Sequence, residues 1–431
     1  MSAVCPGAGR CTLWGLSLFP DGLIVPIQLT PEQIFLGLQI AAVALAAIWL
    51  LIVLDRNRWW PSQWSLHLDA AAREPDAGEF GEVVVVVPAR NEAPMLPRTL
   101  PRLLKQAAWF RRVVVVDDRS GDKTAYVARR LAEGTPGEHH LRVISIEEPE
   151  AGWNGKTHAM QRGYEAAAVD WHGDPRQQWV LFTEADVLHH PFSLSRIVSK
   201  AAQEDLDLVS VMVKPRVRTF WEWLLIPTVV YFFQARNPFR KVSGSNTRRA
   251  AASGGVILVR RSALEDADVF ETIRGNAADD MALAQAVRRS GGTCWLGLDP
   301  DMRSLRTHDT YAEIRRMVVR TAFEQIGNSY AKLLVFLVET VVLFAAPPVL
   351  TVLGIYWMDP VIGGGAALAW ALSMATYLPV VQYLEAPTSF VLALPLTALV
   401  YGRMALASLW GHLTGKQRAW RADSEVDLTG E

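Results

Sequence analysis

The sequence Val83-Val-Val-Val-Val-Pro-Ala-Arg-Asn-Glu92 decides the fold class, because five consecutive β-branched residues run directly into a polar segment. Such an unbroken run is typical of a strand buried on both faces of a parallel sheet. Val113-Val-Val-Val-Asp-Asp118 repeats the pattern. Further strand candidates alternate with helix-like stretches, the strands over 141–146, 179–183 and 206–213 and the helices over 122–133, 156–168 and 191–204. The alternation predicts an α/β fold with a mostly parallel open sheet and flanking helices.

Acidic residues follow three of these strands where each strand ends. Glu92 follows the first strand, Asp117 and Asp118 the second, and Glu184 and Asp186 the strand that ends at position 183. The carboxyl ends of parallel strands meet at one sheet edge, where ligands bind. Because clustered carboxylates repel one another, they require a cation or hydrogen-bond donors nearby. The sequence therefore places a candidate site at this edge.

The composition disfavours several classes of protein. Of 431 residues, 43 are Lys or Arg and 44 are Asp or Glu, so no basic excess exists for binding nucleic acid. Three cysteines are too few for a disulfide scaffold or a zinc cage, which favours a reducing compartment. The glycine-rich patterns of dinucleotide-binding and P-loop proteins are absent. With 50% hydrophobic residues and a mean hydropathy of +0.14, part of the chain is expected in lipid.

The apolar stretch 34–54 is long enough to span a bilayer as a helix. Arg56, Arg58 and two tryptophans follow it, whereas the preceding residues 1–33 contain one basic residue. The positive-inside rule therefore predicts an extracytoplasmic segment over 1–33 and a cytoplasmic domain over 69–330. A cleaved signal peptide is the alternative, which the length and late start of the stretch disfavour.

Residues 331–411 are again apolar and predict a membrane region of two to three spans, over 333–357, 361–384 and 388–411. Glu339 and Pro347-Pro348 indicate that the first of these is broken or re-entrant. Four full spans would leave the polar tail 412–431 outside, yet its basic residues favour the cytoplasm. The number of crossings therefore stays open.

Several motifs together resemble the inverting family 2 glycosyltransferases with the GT-A fold. They are Pro-Ala-Arg-Asn-Glu at 88–92, Val-Asp-Asp-x-Ser-x-Asp-x-Thr at 116–124, Gly-Trp-Asn-Gly-Lys at 152–156, Glu-Ala-Asp at 184–186 and Asp-Asp-Met-Ala-Leu-Ala at 279–284. Three further stretches resemble the hopanoid-biosynthesis-associated membrane glycosyltransferases of that family, namely 220–227, 250–261 and 317–323. The resemblance covers residues 83–330 and the flanking apolar segments.

The resemblance implies a nucleotide-sugar donor, a lipid acceptor and a divalent cation, Mg²⁺ or Mn²⁺, on the donor diphosphate. It assigns donor binding to Pro88, Arg90, Glu92, Asp117, Asp118 and Lys156. Asp186 matches the metal ligand of the family's Asp-x-Asp motif, whereas Glu184 replaces the first Asp. The structural alternatives are helix capping for the two aspartates, a solvated lysine at a helix start and a charged turn at 184–186.

Asp280 matches the family's catalytic base, which takes the proton of the acceptor hydroxyl. Asp279-Asp280 also begins a helical stretch that ends in Arg288-Arg289, an arrangement that the helix dipole alone favours. That dipole is expected to lower the pKa of Asp280 and keep it ionised at neutral pH. His308 is interpreted as a loop histidine rather than a metal ligand.

The acceptor and membrane side is expected at the aromatic stretch 219–233, with Trp221 and Trp223, and at Arg316 and Arg320. The stretch suits a helix lying in the membrane interface, and a core helix of the soluble domain is the alternative. Arg316 to Arg320 resembles a degraded Gln-x-x-Arg-Trp motif that lacks Gln and Trp, or else a basic strip on anionic lipid headgroups.

Together these features predict a glycosyltransferase integral to the cytoplasmic membrane, its catalytic domain facing the cytoplasm, that moves a sugar onto a hopanoid or polyisoprenoid lipid with inversion. A processive polysaccharide synthase is disfavoured because the Gln-x-x-Arg-Trp motif is incomplete. A non-catalytic lipid-binding or scaffold protein that retains the fold is the alternative of a different class, and Glu184 is the feature that leaves it open.

Overall fold

The computed structural model describes residues 30–55, 81–106, 110–133, 141–149, 151–169, 171–243, 247–276 and 278–414. They fall into two units, of which one comprises the described residues of 1–55 and 337–376 and the other those of 56–336 and 377–431. Most of the predicted segment 1–33, the flank 56–60 and most of the polar tail 412–431 lie outside the described residues.

The described residues of the larger unit contain an eight-stranded sheet with the strand order β3-β2-β1-β4-β7-β6-β8-β5. The strands are β1 Glu82–Ala89, β2 Arg112–Asp118, β3 Leu141–Ile146, β4 Gln178–Thr183, β5 Val187–Leu188, β6 Leu208–Lys214, β7 Val256–Arg260 and β8 Cys294–Ser304. Strands β1 to β4 pair in parallel, as do β6 and β8. The predicted α/β fold with a largely parallel sheet is confirmed.

The valine run explains why β1 lies inside this sheet. Val83, Val85 and Val87 enter the hydrophobic core on one face, and Val84 and Val86 enter the core on the other face. All five are buried to 3% exposure or less. Because side chains alternate along a strand, only an apolar residue at every position satisfies both faces.

An antiparallel strand that was not predicted from the sequence makes the sheet mixed. Strand β7 lies between β4 and β6 and runs antiparallel to both. Strand β7 directly follows the glycine pair Gly254-Gly255. No helical stretch directly precedes it to continue the alternation of strands and helices, so no strand was predicted there. The short β5 is likewise antiparallel to β8.

Helices flank the sheet. Those of the larger unit's α/β part are α2 Leu96–Leu104, α3 Thr124–Glu133, α4 Gly155–Ala168, α5 Ser193–Gln203, α6 Phe220–Arg236, α7 Phe239–Val242, α8 Arg261–Asp266, α9 Val269–Ile273, α10 Asp279–Arg289 and α11 Tyr311–Gln325. Helix α4 begins with Asn154 as its cap, whose side chain accepts from Thr157 N–H. An added Cβ on Gly163 would lie 2.4 Å from Val86 Cγ1, so glycine allows α4 to pack closely on β1.

In the part of the chain that the structure describes, four helices are long and apolar enough to cross a membrane, judged by length and composition. They are α1 Pro31–Leu54, the run Tyr330–Tyr356, α14 Pro360–Tyr383 and the run Thr388–Leu413. The second consists of α12 Tyr330–Glu339, a π-helical segment Thr340–Ala345 and α13 Ala346–Tyr356, and the fourth ends in α15 Leu394–Leu413. The π-helical segment lies between Glu339 and Pro347-Pro348, where the sequence predicts a break.

Candidate active site

Two loops at the carboxyl edge of the sheet, 89–93 and 119–124, are joined by hydrogen bonds. Asn91 N–H donates to Ser120 Oγ at 3.0 Å, and Gly121 N–H donates to Asn91 Oδ1 at 2.8 Å. Asn91 has a φ of 54°, in the left-handed region that asparagine tolerates better than most residues. These hydrogen bonds join the loops 89–93 and 119–124, which carry the first two acidic motifs, into one surface. We refer to this surface as the floor of the site.

Asp117 and Asp118 end β2 on this floor, and both are buried. Asp118 Oδ1 accepts from Arg119 Nε at 2.9 Å, and its Oδ2 lies 3.6 Å from an Arg90 guanidinium nitrogen. An added Cβ on Gly155 would lie 2.1 Å from Asp118 Oδ2, so only glycine fits where α4 begins. Asp117 Oδ1 is buried with no hydrogen-bond partner among the described residues. A buried acceptor of this kind is costly unless a ligand donates to it.

Lys156, in the first turn of α4, lies between two carboxylates. Its Nζ is 3.1 Å from Glu184 Oε1 and 3.1 Å from Asp279 Oδ2. Burial lowers the pKa of Lys156, but the charges of Asp279 and Glu184 outweigh burial and raise the pKa above its ordinary value. Lys156 in turn lowers the pKa of Glu184, with help from Arg306 and Arg320, although burial opposes the shift. The lysine is therefore a fixed positive charge.

Asp280 begins α10 beside Asp279, and its pKa is raised to about 7. Burial is the main cause and the charge of Asp279 adds to it, whereas Lys156 and the Met281 N–H oppose the shift. The expectation that the helix dipole lowers this pKa is wrong, because burial and the neighbouring carboxylate are the stronger effects here. A carboxylate with a pKa near the working pH suits proton transfer.

Three of these side chains converge on Gly254. A Cβ added there would lie 3.2 Å from Lys156 Nζ, 3.4 Å from Asp280 Oδ2 and 3.5 Å from Glu184 Oε1. The absence of a side chain at position 254 thus keeps open the space that the charged groups surround. We refer to Lys156, Glu184, Asp279 and Asp280 as the lysine cluster.

A second group, the arginine cluster, consists of Glu92, Asp186 and Arg306. Arg306 donates to Glu92 Oε1, and its Nε lies 3.3 Å from Asp186 Oδ2. Ser304 Oγ also donates to Asp186 Oδ2, at 2.6 Å. Burial raises the pKa of Glu92, and the charge of Arg306 opposes that shift. Glu92, a predicted donor-site residue, and Asp186, a predicted metal ligand, thus both contact Arg306.

Asp186 offers an oxygen suited to a hard cation. Its Oδ1 is buried and has no hydrogen-bond partner among the described residues, and Mg²⁺ and Mn²⁺ prefer such carboxylate oxygens. Across the described residues, no group of three or more His, Cys, Asp and Glu side chains is placed to hold a metal alone. Asp186 therefore has one oxygen available to a divalent cation, while the described residues provide no complete set of metal ligands. Glu184 contacts Lys156 instead.

The aromatic residues predicted on the acceptor side lie near the start of α6. The Trp221 ring centroid is 5.5 Å from that of Tyr311, and the Trp223 centroid is 6.2 Å from that of Phe390. Trp221 is 38% exposed. Farther along α6 the helix is largely buried within its unit, where Thr228 Oγ1 lies 2.7 Å from Thr397 Oγ1.

The two basic residues predicted on this side both lie on α11 and are exposed. The charge of Arg320 helps to lower the pKa of Glu184, so Arg320 lies near the lysine cluster. Arg316 lies one turn earlier on the helix. His308 precedes α11, and burial together with the charge of Arg306 lowers its pKa.

Pro88 is the next-to-last residue of β1 and pairs in register with Val116, directly before Asp117. Neither Arg306 nor Gly254 was predicted from the sequence as a site residue. Arg306 follows β8, a strand that was also not predicted. The contact between Arg306 and Asp186 therefore could not be predicted from the sequence. Gly254 lies in the stretch 250–261 that carries part of the family resemblance, and this was the available signal.

A family model described as glycosyltransferase-like family 2 matches residues 81–321, more than half of the chain. The chain belongs to glycosyltransferase-like family 2. The matched residues run from β1 into α11 and include both clusters.

Curated relatives match this family 2 chain over part of their length. The 4,4′-diaponeurosporenoate glycosyltransferase of Staphylococcus haemolyticus is 30% identical over 133 residues, which is 30% of this chain and 31% of that protein. An uncharacterized protein of Methanocaldococcus jannaschii is 31% identical over 127 residues, 30% of this chain and 44% of that protein. The chain thus spans less than half the length of either.

A solved structure is similar over most of the chain. The mannosyltransferase PcManGT from Pyrobaculum calidifontis, in complex with GDP-Man and Mn²⁺, has a TM-score of 0.50 and 22% identity, over 87% of this chain and 99% of that one. This likeness supports the GT-A-like fold. The family match supports the predicted enzyme class, a glycosyltransferase.

Proposed function

We propose that this family 2 enzyme transfers a sugar, with inversion, from a nucleotide-sugar donor to the hydroxyl or phosphate of a membrane lipid. The observation that carries the proposal is the lysine cluster, in which Asp280, with a pKa of about 7, and the cationic Lys156 border one open space at Gly254. A proton acceptor and a fixed cation at the carboxyl edge of the sheet are what an in-line transfer requires.

The nucleotide binds on the floor made by the loops after β1 and β2. Asp117 Oδ1, buried and unpartnered among the described residues, accepts a hydrogen bond from the base. Pro88, Arg90, Glu92 and Asp118 line the same edge, and Arg90 reaches the Asp118 carboxylate. Lys156 donates to a phosphate oxygen, because its ammonium is held charged at the start of α4.

Asp280 is the general base. Its carboxylate takes the proton from the acceptor oxygen while that oxygen bonds to the anomeric carbon of the sugar. The bond from the anomeric carbon to the diphosphate breaks on the opposite face, and the electron pair leaves with the nucleoside diphosphate. Attack opposite to the leaving group inverts the anomeric configuration.

Asp186 would hold a divalent cation on the donor diphosphate, with Glu184 as the second acidic residue of the motif. When bound, such a cation supplies positive charge to the leaving diphosphate. The support in this chain is the buried, unpartnered Asp186 Oδ1 among the described residues.

A lipid acceptor is supported by the four apolar helices and by the exposed aromatic start of α6. We place residues 69–330 in the cytoplasm as the catalytic domain, with 34–54 and 331–411 in the membrane. The sequence resemblance to hopanoid-associated enzymes favours a hopanoid or polyisoprenoid acceptor. A relative named as a 4,4′-diaponeurosporenoate glycosyltransferase is in keeping with that class.

The experiment is transfer by the purified chain in lipid nanodiscs that contain a bacterial lipid extract. A panel of UDP- and GDP-sugars is supplied with Mn²⁺ or with excess EDTA, and the lipids are analysed by mass spectrometry. We expect one donor to give a sugar-modified lipid in Mn²⁺ and none in EDTA. Full activity in EDTA would contradict the metal assignment, and sugar on no lipid with any donor would contradict the proposed function.

A further inference from the structure

Glu222, in the first turn of the aromatic helix α6, is completely buried although it is a glutamate. Its carboxylate accepts from the main-chain N–H groups of Arg218 and Thr219, at 2.8 and 3.1 Å, which is the local capping of the helix start. Two further donors have nothing to do with capping. One is the Arg216 guanidinium at 2.9 Å, and the other is the N–H of His308, at 3.0 Å and 86 residues away in sequence.

The bond to His308 ties α6 to the segment 304–309, which connects β8 to α11. The other end of this segment is tied to Asp186. Ser304 Oγ donates to Asp186 Oδ2, and Leu305 N–H donates to the Asp186 carbonyl at 2.9 Å. The segment is thus held at one end by the proposed metal ligand and at the other by Glu222.

Arg306 lies between these two attachments and is the residue that reaches Glu92 and Asp186. Arg216 adds a second link at the Glu222 end, because its guanidinium also lies 2.8 Å from Asp309 Oδ1. The position of Arg306 over the arginine cluster therefore depends on where Glu222 holds the segment.

We propose that Glu222 is a positioning residue that couples the aromatic helix α6 to the segment 304–309 and so holds Arg306 at the donor site. The inference rests on the proposed function in placing the arginine cluster within the donor site. It assigns Glu222 no contact with substrate. Movement of the aromatic helix on lipid binding would reach the donor site through the Glu222 carboxylate.

The chain supplies a matched control. Thr310 and Glu313 form the same capping box at the start of α11, and Glu313 accepts from Thr310 N–H at 3.0 Å. The described hydrogen bonds of Glu313 stay within its own helix start, whereas those of Glu222 extend to the N–H of His308. The general effect of removing the charge of a capping glutamate is therefore visible in Glu313→Gln, because glutamine still caps the helix.

The test compares Glu222→Gln and Glu313→Gln with the wild type, as full-length chains in nanodiscs. Hydrogen exchange is measured over residues 304–309, and the binding of UDP and GDP with Mn²⁺ by calorimetry. We expect Glu222→Gln to exchange faster in this segment and to bind the recognised nucleotide about ten-fold more weakly, the scale of one lost charged hydrogen bond. Glu313→Gln should change neither quantity. Unchanged exchange in Glu222→Gln, or equal changes in both variants, would overturn the proposal.

Asp309→Asn covers the case in which Glu222→Gln does not fold, since Asp309 is half exposed and leaves the buried glutamate intact. It should also speed exchange over 304–309 and weaken nucleotide binding, and no change in either would overturn the coupling. If the wild type binds neither nucleotide, the proposed function fails, while the exchange comparison still decides whether Glu222 holds the segment.

Discussion

The ammonium of Lys156 lies 3.1 Å from the carboxylate of Glu184, the residue that stands where the family motif has an aspartate. Glutamate is longer than aspartate by one carbon–carbon bond, roughly 1.5 Å, and so extends farther from the end of β4. The altered motif therefore acquires an ion pair with the start of α4. This pairing places the Lys156 ammonium near Asp280, whose pKa the lysine charge lowers against the effects of burial and Asp279.

Replacing Lys156 by Met should move the acidic limb of the pH–rate profile to higher pH. Lys156 lowers the pKa of Asp280, which is already raised to about 7, so loss of the ammonium raises that pKa further. Donor affinity should fall as well. The measurement is kcat/KM against pH, with the exposed Lys105→Met, outside the site loops, as the control that should leave the profile in place. If the acidic limb of the profile lies at the same pH in Lys156→Met as in the wild type, the charge of Lys156 does not affect the pKa of Asp280.

Asp280→Asn should stabilise the protein at pH 8 more than at pH 4. The folded pKa of about 7 lies above the ordinary value of 3.8, so the contribution of Asp280 to stability is complete below about pH 4 and is lost as the pH rises through 7. Asparagine does not ionise, so the variant does not lose this stability as the pH rises.

Melting temperatures at the two pH values check this sign, with the exposed Asp266→Asn as the control. A variant that is less stable than the wild type at pH 8 would show that the Asp280 carboxylate is not strained by burial there.

The parallel half of the fold was predictable because β1 and β2 are runs of valine, which are typical of strands buried on both faces. The strand ends then placed Glu92, Asp117 and Asp186 at one edge without further information. Lys156 and Asp280 were predicted from the family resemblance. The structure brings these two side chains together around Gly254.

Other features depend on contacts between distant parts of the chain. Arg306 reaches Asp186 across 120 positions of sequence, and no local pattern announces such an ion pair. The pKa of Asp280 was predicted in the wrong direction, because a helix terminus is visible in the sequence but burial is not. Strand β7 was missed because a short antiparallel strand between parallel ones has no periodicity of its own.

Gly254→Ala should reduce transfer by about ten- to a hundred-fold, the scale of a small misplacement of reacting groups. The added methyl would lie within 3.5 Å of Lys156, Asp280 and Glu184 and would fill the space they border. Its φ is outside the left-handed region, so the backbone accepts alanine and folding should persist. Gly364→Ala, where an added Cβ meets nothing within 4 Å, is the control for kcat and melting temperature. Normal transfer by Gly254→Ala would contradict the assignment of the reacting groups to the space beside Gly254.

Changing Trp221 and Trp223 to Ser should reduce transfer to the lipid far more than it reduces nucleotide binding. Both rings lie in the first turn of α6, and Trp221 is 38% exposed. The check is transfer in nanodiscs beside calorimetry with UDP and GDP, with the exposed Phe192→Ser as the control. Equal losses in transfer and in nucleotide binding would favour a core helix whose damage affects the whole domain.

The most direct test of the central claim is label transfer from the nucleotide sugar to lipid by wild type and Asp280→Asn, with nucleotide affinity measured on the same preparations. The variant keeps the shape of the side chain but cannot accept the proton. We predict that transfer falls by roughly 10²-fold or more, the usual scale of a general base, while nucleotide affinity is retained. Transfer at the wild-type rate by a folded Asp280→Asn would contradict the account and leave Asp280 a purely structural role at the start of α10.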